Sequence, residues 1–215
     1  MIDSSPSRFY DASGDVPEAL FFRQLQRVTA RIHETDNVEQ LMLDVSADIC
    51  RLFNADRLTL YVVNDDHTAI VSKIKTGLSS SKDLKLPIGI QSIAGYVAQS
   101  HKLLNLPDVY DQAALHEIHP DLHFLKEVDK RSGYLTRQML VAPVLEGVAL
   151  YGVLQLINNK GHRSFNALEV DGLEQLCQTL ATAIRQRLHK ANEPPPVKRP
   201  NTMVWWAMAY SLKVS

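Results

Sequence analysis

Three histidines, His116, His119 and His123, stand at spacings of three and four. On a continuous helix they would line one face and offer imidazole nitrogens to a metal ion or a haem iron. Pro120 falls between the second and the third, and a proline has no amide hydrogen and clashes with the preceding turn. The helix is expected to break there, so the plainer alternative is scattered histidines on a solvated loop. Ser92 opens the segment Ser-Ile-Ala-Gly-Tyr-Val-Ala-Gln, a helix start whose free amides suit a phosphate or a carboxylate. An ordinary N-cap explains the same serine without a ligand. Lys160 and Glu169 read as a surface pair tying a strand end to the last helix, a contribution of about 0–1 kcal/mol if exposed. Asp129, Arg131 and Thr136 border the irregular middle of the chain, where a charged helix end capped by Gly133 would look the same.

Other chemistries are excluded by what the residues lack. Cys50 and Cys177 are the only cysteines and form no Cys-x-x-Cys pair, which argues against a disulfide scaffold, a thiol redox motif or a structural zinc site and fits a reducing cytosol. Both fall on apolar sides of helical segments, where a cysteine is a small buried hydrophobe. No Gly-x-x-x-x-Gly-Lys-Ser/Thr, Gly-x-Ser-x-Gly or His-Glu-x-x-His occurs. Lys plus Arg number 23 against 24 Asp plus Glu, so nothing suggests a nucleic-acid footprint. The opening residues lack a basic, apolar leader, and the apolar run from Met203 to Tyr210 is too short to cross a bilayer. The expected location is cytoplasmic.

The elements that would position these residues follow from the hydrophobic periods. Phe21, Leu25, Val28 and Ile32 make a helical stripe within residues 17–33, and Leu41, Val45, Ile49 and Leu52 make a second, capped at Thr35 or Asp36. Arg57 to Asn64 and Ala69 to Thr76 read as a hairpin, with a short strand near Leu84 to Ile88 before the helix at Ser92. Residues 103–136, punctuated by Pro107, Pro120 and Gly133, predict only short helical pieces. Gln138 to Leu145 and Val148 to Asn158 form a second hairpin whose later strand is apolar on both faces and so central in its sheet. Asn166 to Ala191 is a long helix striped by Leu173, Leu176, Leu180, Ile184 and Leu188. Short turns between strands make the sheet antiparallel and the class α+β rather than doubly wound. The divisions are a flexible lead-in over 1–16, one folded domain over 17–191 and a tail over 192–215 opened by Pro194-Pro195-Pro196. From Lys190 onward four basic residues face one acid, a surplus of three; with a net charge of −1 overall, the rest carries −4. The tail's Trp205-Trp206 run is expected either to dock on the body, a dimer mate or another partner, or to be an unordered end.

Three separated motifs then resemble one family. Leu86-Pro87-Ile88 with Ser92 to Val97, the run Asp129 to Val144, and Gly152 to Lys160 followed by Phe165 are similar to GAF domains, the last to the Asn-Lys-Phe-Asp-Glu signature of phosphodiesterase-type GAF domains. Where that signature has Asp-Glu, this chain has Glu169, Val170 and Asp171. Asn159, Lys160, Phe165 and Glu169 are thereby the structural motif. Leu58 to Val63 and Thr76 to Pro87 look most like GAF domains at the N-terminus of type II secretion or type IV pilus ATPases. The resemblance implies a GAF fold, with five to six antiparallel strands and the N- and C-terminal helices packed on one face. It implies a non-catalytic regulatory domain that binds a cyclic nucleotide or another small effector and forms a homodimer through those helices, with a secretion-system or pilus component as a further partner. The ligand would lie against residues 88–137, which makes Ser92, Ile93, Asp108, Phe124, Asp129, Thr136 and Met139 the candidate pocket. GAF-type methionine sulfoxide reductases and bilin photoreceptors need a pocket cysteine, and none occurs between Cys50 and Cys177. The alternative is a structural dimerisation or protein-interaction module with a collapsed, ligand-free pocket.

Overall fold

The computed structural model describes residues 18–34, 38–76 and 84–192. Helices α1 (Glu18–Glu34) and α2 (Val38–Leu52) precede a hairpin of β1 (Ala55–Val63) and β2 (Ala69–Lys75). Next come β3 (Lys85–Pro87), α3 (Ile93–Ser100), β4 (Leu104–Leu106), α4 (Gln112–Ile118) and α5 (Lys126–Ser132). A second hairpin, β5 (Met139–Glu146) and β6 (Ala149–Asn159), leads into α6 (Ala167–Asn192). The six strands form one antiparallel sheet in the order β3-β2-β1-β6-β5-β4, so the fold is α+β. The strand that is apolar on both faces, β6, lies in the middle, hydrogen-bonded to β1 and β5, as that pattern requires.

Strand side chains alternate, and the two faces of the sheet carry different cores. Leu58, Leu60, Leu140, Leu154 and Leu156 face a layer made by α1, α2 and α6. The intervening positions Tyr61, Met139, Val141, Val153 and Ile157 face α3 and the loops and short helices around α4 and α5. The α1 stripe Phe21, Leu25, Val28 and Ile32 is buried within the chain, with the Phe21 ring edge-on to Phe53 at 5.6 Å. Those four side chains are therefore spent on the intrachain core, and a dimer seam on α1 would use its other faces. Arg31 with Asp48 and Arg185 with Glu146 pair on the outside of this layer.

Two close backbone approaches fix the sheet's shape. Gly152 of β6 lies opposite Val62 of β1, and a Cβ there would run into the carbonyl oxygen of Tyr61. Gly95 of α3 lies against the β3 end, where a Cβ would meet Pro87 O at 2.5 Å and Gly89 O at 2.8 Å. A glycine at 95 therefore seats the start of α3 directly on the sheet edge. The irregular stretch contains one element that the periodicity misses, the three-residue strand β4, which pairs with β5. No helix among the described residues is long and apolar enough to cross a membrane. The proline-rich and Trp205-Trp206 segments of the tail lie outside the described residues.

Candidate functional site

A cleft opens between the second face of the sheet and the segment running from α3 to Thr136. Its cavity volume is about 80 Å³, room for several waters or a small ligand. Six of the seven residues expected to line a pocket do line it: Ser92, Ile93, Phe124, Asp129, Thr136 and Met139. Asp108 does not. It is exposed, and its carboxylate accepts the amide of Tyr110 at 2.8 Å, shaping the turn ahead of α4.

Ser92 is the N-cap of α3: its Oγ accepts from the amide of Gly95 at 3.0 Å, and the residue is buried. Asp129 sits near the end of α5, 7% exposed, with both carboxylate oxygens engaged. Oδ1 accepts from the Thr136 hydroxyl at 2.7 Å, and Oδ2 accepts from the Thr136 amide at 2.7 Å and the Tyr110 hydroxyl at 3.0 Å. This network holds the strand leading to β5 against α5 and places a carboxylate in the wall of a largely apolar cleft.

The floor contains polar residues that motif reading passes over. Thr59 and Tyr61 on β1 and Gln155 on β6 line the cleft, all at least nine-tenths buried. Thr59 and Gln155 are cross-strand partners. None of the three side chains has a hydrogen-bond partner among the described residues. Burial pushes the Tyr61 phenol well above the usual tyrosine range, since nothing compensates the desolvation of its anion. The signal was present in the sequence: Thr59 and Gln155 are hydrogen-bonding residues at inward positions of otherwise apolar strands. Their polar atoms open into the cleft and are not sealed in the core, so a molecule in the cleft, water or ligand, is what can satisfy them. One consequence is testable. Gln155→Met keeps the shape and removes an amide that the fold does not satisfy, so it is expected to raise stability by about 1 kcal/mol, read as a higher urea midpoint with unchanged slope. A comparable loss would mean that the amide is satisfied within the fold.

The histidines come apart. His116 is exposed on the last turn of α4, and His119 ends the helix in an extended conformation with its ring 6.2 Å from that of Tyr96. His119 Nδ1 accepts from the Asp121 amide at 3.2 Å, and His123 is exposed beyond the break at Pro120. Among the described residues no group of three or more His, Cys, Asp or Glu side chains could hold a metal ion. Cys50 and Cys177 are buried in the helical layer, across the sheet from the cleft, and desolvation raises both thiols above their ordinary range.

The Asn-Lys-Phe motif corrects one expectation. Glu169 is buried, and its partner is Arg163 rather than Lys160: Nη1 donates to Oε2 at 2.9 Å and Nη2 to Oε1 at 3.2 Å. Oε2 also accepts the Asn166 amide at 2.8 Å while Asn166 Oδ1 accepts the Glu169 amide at 2.9 Å, a reciprocal cap on α6. Asn159 reaches Glu169 Oε1 at 3.4 Å, and Phe165 is buried beside them in the helical core. Lys160 is exposed. The Gly161-His162-Arg163 turn supplies the nearer and better-shaped cation, because a guanidinium matches a carboxylate bidentately.

The GAF domain family profile matches residues 37–184. The chain is 22% identical over 201 residues to the cone cGMP-specific 3',5'-cyclic phosphodiesterase subunit alpha' of Gallus gallus, covering 83% of this chain and 22% of that protein. It is 31% identical over 121 residues to the dual 3',5'-cyclic-AMP and -GMP phosphodiesterase 11A of Takifugu rubripes, covering 51% of this chain and 12% of that protein. The chain thus spans less than a quarter of the length of these relatives. Among solved structures it is similar to the GAF domain of a phosphoenolpyruvate-protein phosphotransferase from Coxiella burnetii, with a TM-score of 0.67, 23% identity and coverage of 82% of this chain and 99% of that one. The free methionine-R-sulfoxide reductase of Neisseria meningitidis shares the fold at a TM-score of 0.64 and 17% identity, covering 84% of this chain and 96% of that one. With the family profile, the six-stranded sheet and the cleft on its second face in agreement, the chain belongs to the GAF domain family.

Proposed function

We propose that this domain is a non-catalytic regulatory module that binds a small effector, a cyclic nucleotide or another metabolite, in the cleft between the sheet and α3–α5. The observation that carries the reading is the cluster of Thr59, Tyr61 and Gln155, buried in the cleft floor without partners among the described residues. A bound effector would satisfy them, and GAF domains are commonly regulatory ligand-binding domains. The relatives named as cyclic-nucleotide phosphodiesterases support a nucleotide-type effector. Both cysteines lie across the sheet from the cleft, which supports a reading without thiol chemistry.

In this reading the effector acts across the sheet. Gln155 faces the cleft while its chain neighbours Leu154 and Leu156 face the layer of α1, α2 and α6. Occupancy would bias the packing of the terminal helices, through which the domain pairs with a second copy. The likeness to domains ahead of secretion and pilus ATPases extends the proposal to a partner in such machinery. A second reading, a structural interaction module, is favoured by the cleft's size: about 80 Å³ is below the roughly 300–1,000 Å³ of pockets for drug-sized ligands.

Melting curves against cyclic nucleotides, nucleotides and small metabolites separate the two. A true effector at a hundredfold excess over its Kd adds about 2.7 kcal/mol to stability, a readily measured rise in Tm. Flat curves for every compound would sink the effector reading and leave the structural module.

A further inference from the structure

The charges of the cleft restrict what it takes. Among the described residues lining it, Asp129 is the only charged one, and there is no Lys, Arg or His. An ionised carboxylate only accepts hydrogen bonds and has about four acceptor sites. Three are used, one on Oδ1 and two on Oδ2, so Oδ1 retains a site. All three donors come from Thr136 and Tyr110, which are neutral, so the carboxylate has hydrogen bonds but no counter-charge within the network. Buried charges are ordinarily paired. The cations of α5 are outside the lining: Lys130 and Arg131 are exposed, and exposed Lys126 lies over the Tyr110 ring at 5.4 Å. At the far side Thr59, Tyr61 and Gln155 offer hydroxyls and an amide that donate and accept, and Phe124 and Ile93 form apolar walls.

We infer that the effector is a small organic cation, a primary or secondary amine carrying neutral hydrogen-bonding groups, and not a phosphate-bearing molecule. This rests on the proposal that the cleft binds an effector, and of the two classes named there it selects a metabolite without phosphate over the cyclic nucleotide that the relatives suggest. The ammonium takes the remaining acceptor site of Asp129 and supplies the missing counter-charge. The neutral groups of the ligand reach Thr59, Tyr61 and Gln155, and its carbon body packs on Phe124. A phosphate in the same space would meet the start of α3 at Ser92, Ile93 and Ala94, but it would also stand close to the buried carboxylate of Asp129, and no described Lys, Arg or His lines the cleft to offset that repulsion. The modest volume points the same way, to an effector with few heavy atoms.

The test uses isosteres of differing charge: butylammonium, butanol and butyrate, with cyclic GMP as the phosphate-bearing probe. Each is titrated into the full chain and followed by amide proton–nitrogen correlation spectra. The expected result is that butylammonium moves the amides of Asp129, Thr136 and Gln155 with at least tenfold tighter binding than butanol, with butyrate and cyclic GMP weaker still. Asp129→Asn is then expected to erase the preference for the ammonium while butanol binding persists. Should that variant fail to fold, the wild-type ranking still decides. Butanol, butyrate or cyclic GMP binding in the cleft as tightly as butylammonium overturns the cation and leaves the effector cleft standing. No perturbation of the cleft by any of the four overturns the inference, and together with flat melting curves it removes the effector cleft as well.

Discussion

Glu169→Ala should lower stability by about 3 kcal/mol, because it removes a buried carboxylate that accepts from a part-buried guanidinium and from two further donors at the start of α6 and the end of β6. The carboxylate is engaged four ways, by both terminal nitrogens of Arg163, by the Asn166 amide that opens α6 and by Asn159 at the end of β6. Its loss removes half of the reciprocal cap, worth about 1 kcal/mol alone, and takes the bidentate carboxylate away from Arg163, which is itself only partly exposed. For a domain of this size the expected fall in Tm is about 6–12 °C. Lys160→Ala, by contrast, should stay within about 0.5 kcal/mol, because Lys160 is exposed and the carboxylate has another partner. A double-mutant cycle on Arg163 and Glu169 is expected to show a coupling of at least about 1 kcal/mol, and the same cycle on Lys160 and Glu169 close to none. Equal effects of the two cations, measured by urea unfolding, would restore the lysine pairing that the motif suggests.

Gly152→Ala should be as damaging through a different mechanism. The added methyl would lie within the van der Waals shell of the Tyr61 carbonyl, a backbone atom in the adjacent strand that cannot turn aside. The two central strands must separate locally, and overpacking of that kind costs about 1–3 kcal/mol, occasionally more. The damage is expected at the upper end because β6 is paired on both sides, which blocks relief in either direction. It also has a functional consequence, since Tyr61 projects into the cleft and its strand would move. Gly152→Ala is thus expected to lower the urea midpoint and to weaken any effector that binds the wild type. A variant as stable as the wild type would show that β1 and β6 are not so closely apposed.

The architecture was largely legible because the strands that matter are long and strongly patterned. The run Val148 to Asn158 is apolar on both faces, and only the centre of a sheet satisfies it. The segment from Leu104 to Leu106 carries no comparable signal: a three-residue strand has too few positions for a period and exists because the β5 edge accepts it. The cleft was half legible. Ser92, Asp129 and Thr136 stand in recognisable loop and cap positions, whereas Thr59, Tyr61 and Gln155 are read as ordinary strand residues until the alternation of the sheet assigns them a face. Asp108 went the other way, since an acid in a pocket-forming stretch serves equally well to shape a turn. The partner of Glu169 was obscured for a similar reason: Lys160 matches a familiar motif, but the turn between strand and helix brings Arg163 to the carboxylate instead.

Regulation by this domain requires that an effector occupy the cleft against the sheet. The most direct measurement takes the compound that raises Tm most and follows assigned amide proton–nitrogen spectra as it is titrated. The prediction is that shifts concentrate at Thr59, Tyr61, Ser92, Thr136 and Gln155, with smaller ones in α6 through Leu154 and Leu156. Saturable shifts confined to the outer faces of α1 and α6, with the cleft amides unmoved, would contradict it.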